Sequence, residues 1–354
     1  MMEAEQYDNI DQQNDDLQDQ LVIQVDRNQS PLRIDSYLND RIKNVSRTRI
    51  QNGIKSGAVR VNGKQVKSNY RVAPQDEISV VVPHHESYEI IPEDIPLNIT
   101  YEDEDVLVVN KPAGMVVHPG VGNPRGTLLN GLAYYLKLDP FDIKNSENFS
   151  YERLGLVHRI DKETSGLLVI AKTDYSLSHL AKQFFDHTTS RKYIAMVWGE
   201  PESEHGTVNK FIGRSTRNRQ LYTVYPDGDQ GKHAVTHWSM LERLYYVSLL
   251  ECVLETGRTH QIRVHMQSIG HPVFNDERYG GDKILKGTIY SKYKQFVENL
   301  FAGFPRHALH AKTLGFTHPV TGKRMEFDSP LPPEFESLVD KWRNYVKHQK
   351  QLQS

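Results

Sequence analysis

The 354-residue sequence contains one cysteine, Cys252, which excludes an intramolecular disulfide, a multi-cysteine zinc site and an iron–sulfur cluster. It has no apolar run of the roughly 18 residues that a membrane-spanning helix needs. Residues 1–20 lack the basic and apolar regions of a signal peptide. We therefore expect a cytoplasmic protein with no membrane partner. At roughly 100–200 residues per domain, the length predicts two or three domains.

The sequence also lacks an overall basic charge, since 43 Lys and Arg residues stand against 45 Asp and Glu, for a net charge of −2. Taken alone, this balance argues against nucleic-acid binding. However, residues 1–20 carry seven acids and no Lys or Arg, so the remaining chain has a net charge of +5. A segment of this composition cannot bury enough apolar surface to fold, and we expect a disordered acidic tail.

Residues 31–83 form a basic segment, with ten Lys or Arg residues against four acids. Apolar residues at helical spacing, from Ile34 to Ile42, predict one helix, and Ser46 can cap a second helix. Residues 59–66 then predict two short strands around an Asn-Gly turn. A charged run by itself is more often a solvated surface than a binding site. The charge pattern alone therefore leaves both interpretations open.

The order of these features resembles the S4 RNA-binding domain. The resemblance is carried by Leu32 to Leu38, Ser46 to Gln51 and Gly57 to Gly63. It implies a module that binds structured RNA through phosphates and helix shape, with little reading of base sequence. The residues implied in RNA contact are Arg33, Arg47, Arg49, Lys55, Arg60 and Lys64.

Beyond residue 84, prolines mark a linker, and strands then mix with helices without a regular βαβ period. This predicts an α+β fold with a largely antiparallel sheet. The predicted strands include residues 167–171, 193–198, 234–240 and 248–255. The predicted divisions are an acidic tail (1–20), an S4-like domain (21–83), a linker (84–98) and a catalytic domain (99–348).

The most informative motif is His-Arg-Ile-Asp-Lys-Glu-Thr-Ser-Gly at residues 158–166, directly before the apolar run 167–171. That run predicts a central strand, so Asp161 falls on a loop entering it, where a rigid sheet can hold a catalytic group. A lone aspartate at such a turn is more often structural. A kinase catalytic loop is excluded because Ile160 interrupts its motif, and neither a Gly-rich phosphate loop nor Asp-Phe-Gly accompanies it.

Two other segments carry side chains suited to the same chemistry. In the predicted strand after Arg191, Tyr193 can stack on a base while Arg191 and Lys192 hold phosphates, although an ordinary core tyrosine is the alternative. Residues 256–265 predict a helix start capped by Thr259. Arg258 lies just before it and can pair with a buried carboxylate, which would keep that carboxylate ionised. A surface arginine is the alternative there.

Metal and cofactor sites have little support in the sequence. His260 and His265 are five residues apart, which does not place two ligands on one helix face. His307 and His310 have better spacing but lack a third ligand cluster. The sequence has neither a dinucleotide-binding fingerprint nor a P-loop. We expect no metal and no cofactor.

Together, these segments resemble the RluA-type family of pseudouridine synthases. They occur in that family's order, at residues 158–166, 192–193, 257–265 and 309–311. The resemblance covers roughly residues 21–345. It implies the pseudouridine synthase fold, which has a mixed, largely antiparallel central sheet flanked by helices and an active-site cleft. Ile160 replaces the usual leucine, a conservative change, and residues 281–304 look like a variable insertion that carries no implied role.

The resemblance implies isomerisation of uridine in RNA to pseudouridine by base flipping, without a cofactor. It implies that Asp161 is the essential carboxylate, that Arg258 is its basic partner, and that Tyr193 packs on the target base. Cleavage at an anomeric carbon fits an ionised carboxylate in a desolvated pocket. Whether that carboxylate attacks the sugar or abstracts a proton stays open. The implied substrate-binding residues are His158, Arg159, Lys192 and Leu309.

Within the family, the sequence is most similar to members that modify large-subunit ribosomal RNA. Residues 94–97, 101–105 and 116–127 support this comparison, together with the S4-like module. It implies the helix 69 stem-loop of 23S ribosomal RNA, in an assembling or assembled large subunit, as substrate. The alternatives are a member acting on other 23S sites and a non-catalytic S4-type assembly factor. No obligate protein partner is implied, and we expect a monomer.

Overall fold

A computed structural model describes residues 18–42, 45–83, 90–120, 122–138, 154–218, 220–226, 228, 230–287 and 290–353. Outside these ranges lie residues 1–17 of the predicted acidic tail and residues 84–89 of the predicted linker. Residues 18–20, predicted to belong to the tail, instead begin a strand. No helix in the described ranges has the length and apolar character to cross a membrane.

The N-terminal part of the chain forms a small antiparallel sheet with two helices. The sheet has the order β1-β4-β2-β3. Its strands are β1 (Gln18–Gln24), β2 (Val59–Val61), β3 (Lys64–Gln65) and β4 (Glu77–Pro83), and the helices are α1 (Ile34–Asn39) and α2 (Arg47–Lys55). This is the helix–helix–hairpin arrangement predicted from the sequence.

Local chemistry explains how these elements begin and end. The Ser46 hydroxyl accepts a hydrogen bond from the backbone N–H of Arg49 at 3.3 Å, which confirms the predicted cap of α2. Asn62 and Gly63 have φ values of 50° and 76°, as an Asn-Gly hairpin turn requires. Helix α1 is shorter than predicted and ends at Asn39, but Ile42 still packs against the buried apolar cluster of this module.

The rest of the chain builds a ten-stranded sheet of order β10-β9-β11-β12-β8-β13-β7-β6-β5, with β14 paired to β13. Its strands are β5 (Ile99–Glu102), β6 (Val106–Lys111), β7 (Ser165–Ala171), β8 (Ser190–Trp198), β9 (His205–Arg214), β10 (Tyr222–Tyr225), β11 (Lys232–Arg243), β12 (Val247–Leu254), β13 (Leu309–Thr317) and β14 (Arg324–Asp328). The helices are α3 (Leu128–Tyr135), α4 (Asp174–Phe185), α5 (Gln261–Ser268), α6 (Ser291–Gly303) and α7 (Pro333–Gln353).

This topology confirms the predicted α+β class. Strands β13 and β7 run parallel, and the other paired strands of the sheet run antiparallel. Successive side chains of β7 enter different cores. Leu168 and Ile170 belong to the larger apolar cluster, which includes residues of α3, α6 and α7, whereas Leu167 and Val169 pack with residues of α4. Helices therefore cover both faces of β7, which holds the loop before it in place.

Candidate active site

Asp161 lies on the loop that enters β7, at the position the sequence predicts. Gly166, the second residue of β7, has a φ of +121°, and a Cβ atom there would lie 2.2 Å from the carbonyl oxygen of Ala311 in β13. The approach of β13 to β7 therefore requires glycine at this position. Because β7 is buried along its whole length, Asp161 is carried by a rigid support.

Lys111, at the end of β6, fixes the other side of this loop, although no sequence motif pointed to it. Its Nζ donates hydrogen bonds to the backbone oxygens of Lys162 at 3.1 Å and of Pro112 and Met115 at 2.8 Å. Burial lowers the pKa of Lys111 to about 7, partly offset by the nearby carboxylates. Lys111 thus ties the residue after Asp161 to the loop that follows β6.

A buried arginine binds the Asp161 carboxylate. Nη1 of Arg263 donates a hydrogen bond to Asp161 Oδ2 at 2.8 Å. The same guanidinium binds Asp276, with Nε 2.7 Å from Oδ2 and Nη2 2.9 Å from Oδ1. Arg263 and Asp276 are both buried. The bidentate contact with Asp276 fixes the orientation of the guanidinium and therefore the direction in which Nη1 meets Asp161.

The prediction that Arg258 makes the ion pair with Asp161 is wrong in this structure, because Arg263 makes it. Helix α5 begins at Gln261, its N-cap is His260, and no side chain caps it, so the predicted Thr259 cap is also wrong. Arg263 thereby falls in the first turn of α5, next to Asp161. Arg258 precedes the helix, and its Nε donates to the backbone oxygen of His233 at 3.1 Å.

The charge state of Asp161 follows from this pairing. Burial raises the pKa of the Asp161 carboxyl, but neighbouring positive charge outweighs burial and holds the pKa well below its usual range. Burial lowers the pKa of His260 to about 4, so this imidazole is uncharged at neutral pH. The fixed cation beside Asp161 is therefore Arg263, and Asp161 is ionised at neutral pH.

A cavity of about 370 Å³ opens beside Asp161. Tyr193 enters it from β8, and Leu309 enters it from the start of β13. Burial raises the pKa of Tyr193, so its phenol is protonated at neutral pH. The predicted site residues in the cavity wall are His158, Arg159, Asp161, Tyr193, Arg258 and Leu309.

Lys192 is the predicted site residue that the structure does not bring to the cavity. Side chains alternate along β8, so Lys192 and Tyr193 point to opposite faces of the sheet. Lys192 Nζ lies 3.4 Å from Glu251 Oε1 on β12. Arg191 shares the face of Tyr193, lines the cavity and has a buried Nε without a hydrogen-bond partner. Strand periodicity, applied to residues 191–193, would have favoured Arg191 over Lys192 as the cation that shares the cavity with Tyr193.

His158 supports the cavity wall. Its Nε2 accepts a hydrogen bond from the backbone N–H of Val169 at 3.0 Å, and its ring stacks on Phe184 at 4.4 Å between centroids. Burial, together with the charge of Arg191, lowers the pKa of His158 to about 3. The ring is therefore neutral and fixed from both sides, so it shapes the wall without adding charge to it.

A second cavity of about 770 Å³ adjoins the first, and Arg159 and Asp161 line both. Arg159 is exposed, and its Nη1 donates to His118 Nε2 at 3.1 Å. Nδ1 of His118 must donate to the Pro119 carbonyl oxygen at 2.9 Å, because a carbonyl oxygen only accepts hydrogen bonds. His118 therefore carries its proton on Nδ1, and Nε2 is the acceptor for Arg159. A long, exposed cation thus stands at the rim between the two cavities.

The predicted RNA-contact residues of the N-terminal module differ in accessibility. Arg33, Arg47, Lys55 and Lys64 are exposed, whereas Arg49 is half-buried. Arg60 turns toward helix α4, where its Nη2 lies 3.7 Å from Asp186 Oδ2.

A buried carboxylate orients two of the exposed arginines of this module. Asp35 accepts hydrogen bonds from Arg33 Nε and Nη2 at 3.1 and 2.9 Å and from Arg47 Nε and Nη2 at 3.2 and 3.1 Å. Burial raises the pKa of Asp35, but these bonds and one from Gln51 hold it well below the usual range. The two guanidinium groups are therefore held side by side at the surface.

One cluster in the described residues has ligand types that metals accept, namely Asp103, Asp105 and His318. His318 Nδ1 accepts hydrogen bonds from the backbone N–H groups of Val320 and Thr321 at 3.3 and 3.1 Å. Its Nε2 must therefore carry the proton and donate to Asp103 Oδ2 at 2.9 Å. Since His318 has no lone pair left for a metal, this cluster is a hydrogen-bonded structural group.

Comparison with known proteins agrees with this geometry. Residues 105–268 match the RNA pseudouridylate synthase family, and residues 32–78 match the S4 domain. A protein of Chlorobaculum parvum named "Uncharacterized RNA pseudouridine synthase" is 44% identical, over 92% of this chain and 98% of that protein. A protein of Zymomonas mobilis named "Ribosomal large subunit pseudouridine synthase D" is 45% identical, over 86% of this chain and 92% of that protein.

The fold has a counterpart among solved structures. The human RNA pseudouridylate synthase domain containing 4 protein superposes with a TM-score of 0.53 and 25% identity. The match covers 70% of this chain and 93% of the human chain. Sequence similarity over most of the chain, the matched domains and the shared fold lead to one conclusion. The chain belongs to the RluA-type family of RNA pseudouridine synthases and carries an N-terminal S4 domain.

Proposed function

We propose that this protein isomerises uridines of large-subunit ribosomal RNA, in the helix 69 stem-loop, with Asp161 as the essential carboxylate. Membership of the family makes the chain an RNA pseudouridine synthase, an isomerase. The observation that carries the proposed mechanism is the ion pair of Asp161 with Arg263 at the wall of a cavity that also contains Tyr193.

The reaction breaks the N1–C1′ bond of uridine and joins C5 to C1′; C5 loses a proton and N1 gains one. Asp161 either attacks C1′ and is displaced when C5 bonds to C1′, or abstracts the C2′ proton and returns it at that step. Both routes need an ionised carboxylate. Arg263 supplies that condition through its contact with Oδ2. The other carboxylate oxygen, Oδ1, accepts no hydrogen bond from a described residue and is the oxygen available to the sugar.

The cavity next to Asp161 suits a single base taken out of an RNA helix. Tyr193 offers a ring face for stacking, and Leu309 offers apolar contact on another wall. Extrusion of a base costs a few kcal/mol of lost stacking. Arg159, exposed at the rim, is the side chain placed to occupy the gap left in the helix.

The choice of ribosomal RNA rests on the relatives and on the N-terminal module. The Zymomonas mobilis relative is named for the large ribosomal subunit. Two exposed arginines held by Asp35 suit the phosphates of a folded RNA better than a free nucleoside. We propose an S4 domain over residues 21–83, extended by residues 18–20 of β1, a linker over 84–98 and a catalytic domain over 99–348.

Two alternatives differ in what they predict. A synthase acting on other 23S sites would keep the same active site and change only the modified uridines. A non-catalytic assembly factor would not need Asp161, Arg263 and Tyr193 together around one cavity, and this grouping favours an enzyme.

The test is the Asp161→Asn variant, assayed by tritium release from RNA labelled at C5 of uridine. The amide is isosteric but cannot carry the charge, so we expect no detectable isomerisation while RNA affinity stays within about twofold. Asp340→Asn, on helix α7 outside both cavities, is a matched control that makes the same exchange of carboxyl for amide. Turnover by Asp161→Asn at the wild-type rate would refute the assignment.

A further inference from the structure

His260 lies next to Asp161 Oδ1, the carboxylate oxygen that Arg263 does not contact, and it has no role in the proposed mechanism. Its Nε2 lies 4.0 Å from Asp161 Oδ1. His260 borders both cavities and is only 11% exposed in its side chain. The two oxygens of Asp161 therefore have different neighbours, with Arg263 at Oδ2 and His260 at Oδ1.

The contacts of His260 with Asp161 and Tyr279 indicate its tautomer. Nε2 faces Oδ1 of the ionised Asp161 carboxylate, which can only accept a hydrogen bond, so the neutral ring carries its proton on Nε2. Nδ1 is then the acceptor, and the Tyr279 hydroxyl, 2.8 Å away, donates to it. The same hydroxyl accepts a hydrogen bond from the backbone N–H of Tyr222 at 3.2 Å, which fixes its position.

The ring and backbone of His260 are both constrained. The rings of Tyr222 and Tyr279 meet the imidazole edge to face, each at 5.6 Å between centroids. His260 has a φ of +55°, a left-handed conformation that costs a non-glycine residue free energy. Such conformations are found where a site requires a particular side-chain direction. In this site the strained residue is His260, whose N–H faces the proposed catalytic carboxylate of Asp161.

We propose that His260 is a positioning residue for the isomerisation: held by Tyr279 as the Nε2–H tautomer, it directs Asp161 Oδ1 while Arg263 holds Oδ2. At 4.0 Å, Nε2 is about 1 Å farther from Oδ1 than in a hydrogen bond. Catalytic hydrogen bonds are often long before substrate binds and shorten in the complex. This inference rests on the proposed role of Asp161.

Burial and the neighbouring charges explain why the imidazole of His260 is neutral in this site. Asp161 and Asp276 favour its protonation, whereas Arg263, Arg278 and burial oppose it, and burial is the largest effect. The balance lowers the pKa of His260 to about 4. A neutral N–H orients Oδ1 without the full charge that would weaken Asp161 as a nucleophile or base.

The first test compares His260→Gln with His260→Leu. Both replacements meet the same left-handed backbone, but only glutamine retains an N–H donor. A hydrogen bond to a charged group justifies an expected fall in kcat of about 10- to 100-fold for His260→Leu. We expect an unchanged KM and partial recovery of kcat in His260→Gln. The assay is tritium release from large-subunit ribosomal RNA transcribed with uridine labelled at C5.

The second test is Tyr279→Phe, which removes the donor to Nδ1 and keeps the ring. The neutral form of His260 loses a hydrogen bond, so the pKa of His260 rises above its wild-type value, although burial still keeps it low. As the pH is lowered, the kcat of Tyr279→Phe should therefore begin to fall at a higher pH than the kcat of the wild type. Tyr225→Phe, which removes a hydroxyl bound to the backbone of Arg214, is the control.

Equal kcat values for the Gln and Leu variants, or a wild-type pH profile for Tyr279→Phe, would overturn the role of His260. If His260→Leu does not fold, the pH profile of Tyr279→Phe decides. An active Asp161→Asn variant would instead refute the proposed function itself. A wild-type-like His260→Leu beside an inactive Asp161→Asn would refute only this inference.

Discussion

At the scale of single residues, we propose that Arg263 determines whether Asp161 can act. It meets the half-buried Asp161 and the buried Asp276 with one buried guanidinium, so its loss would leave both carboxylates without this cation. The loop position of Asp161 followed from the motif and the strand after it, whereas its grouping with Tyr193 was implied by the family resemblance. The sequence could not show whether Arg258 or Arg263 pairs with Asp161, because the answer depends on where helix α5 begins. The left-handed backbone of His260 shifts that start.

We expect Arg263→Gln to lower kcat by at least about 100-fold, since it removes a preorganised positive charge from the proposed catalytic carboxylate. Breaking the buried ion pair should also lower the free energy of unfolding by about 3–5 kcal/mol. Arg258→Gln should lower kcat less and act mainly on KM, because Arg258 lines the cavity without making the ion pair to Asp161. Steady-state kinetics of both variants, with circular dichroism to confirm folding, makes the comparison. A larger fall in kcat for Arg258→Gln would contradict the role given to Arg263.

At the scale of elements, the N-terminal helices and hairpin present cations, and the large sheet presents the reactive groups. Helix α2 and the β2–β3 turn were predictable because Ser46 and the Asn-Gly pair are strong local signals. The packing of α2 and β4 on α4 was not predictable, since α4 lies about ninety residues or more beyond either element in the sequence. That contact explains why Arg60 faces Asp186, which no pattern within the basic segment indicates.

A triple variant of exposed cations on these elements, Arg47→Ala with Lys55→Ala and Lys64→Ala, should weaken binding to ribosomal RNA. Each lost phosphate contact reduces the slope of log affinity against log salt concentration by roughly 0.7–0.9. Filter binding at several salt concentrations measures this slope. The matched control replaces three exposed lysines near α6, Lys283, Lys292 and Lys294, by alanine. Equal slopes for both triple variants would argue against RNA binding through the N-terminal module.

At the scale of the whole molecule, the fold keeps several histidines neutral in its interior. Burial lowers the pKa values of His158 and His307 to about 3 and those of His260, His265 and His310 to about 4. The sequence shows these histidines but not their burial, which depends on packing between distant segments. Thr164 and Ser165, for example, bind His307 and His310 across the β7–β13 contact.

We therefore expect the protein to lose stability as the pH falls from about 6.5 toward 4. In that window the unfolded chain binds protons that the folded state excludes, so the free energy of unfolding falls with decreasing pH. Each such proton contributes a slope of about 1.4 kcal/mol per pH unit. Denaturant unfolding at several pH values measures it. His265→Gln should reduce the slope by the amount that corresponds to about one proton, whereas replacing the exposed His205 by Gln should leave the slope unchanged. An unchanged slope in His265→Gln would contradict this.

The proposed activity of this chain is the conversion of uridine to pseudouridine in large-subunit ribosomal RNA, with Asp161 as the essential carboxylate. Carbodiimide labelling followed by primer extension maps pseudouridines at single-nucleotide resolution. The measurement compares 23S RNA from cells lacking the gene, complemented either with the wild type or with Asp161→Asn. We predict pseudouridine signals in the helix 69 stem-loop with the wild type and none there with Asp161→Asn. Identical signals at all positions with both proteins would contradict the account.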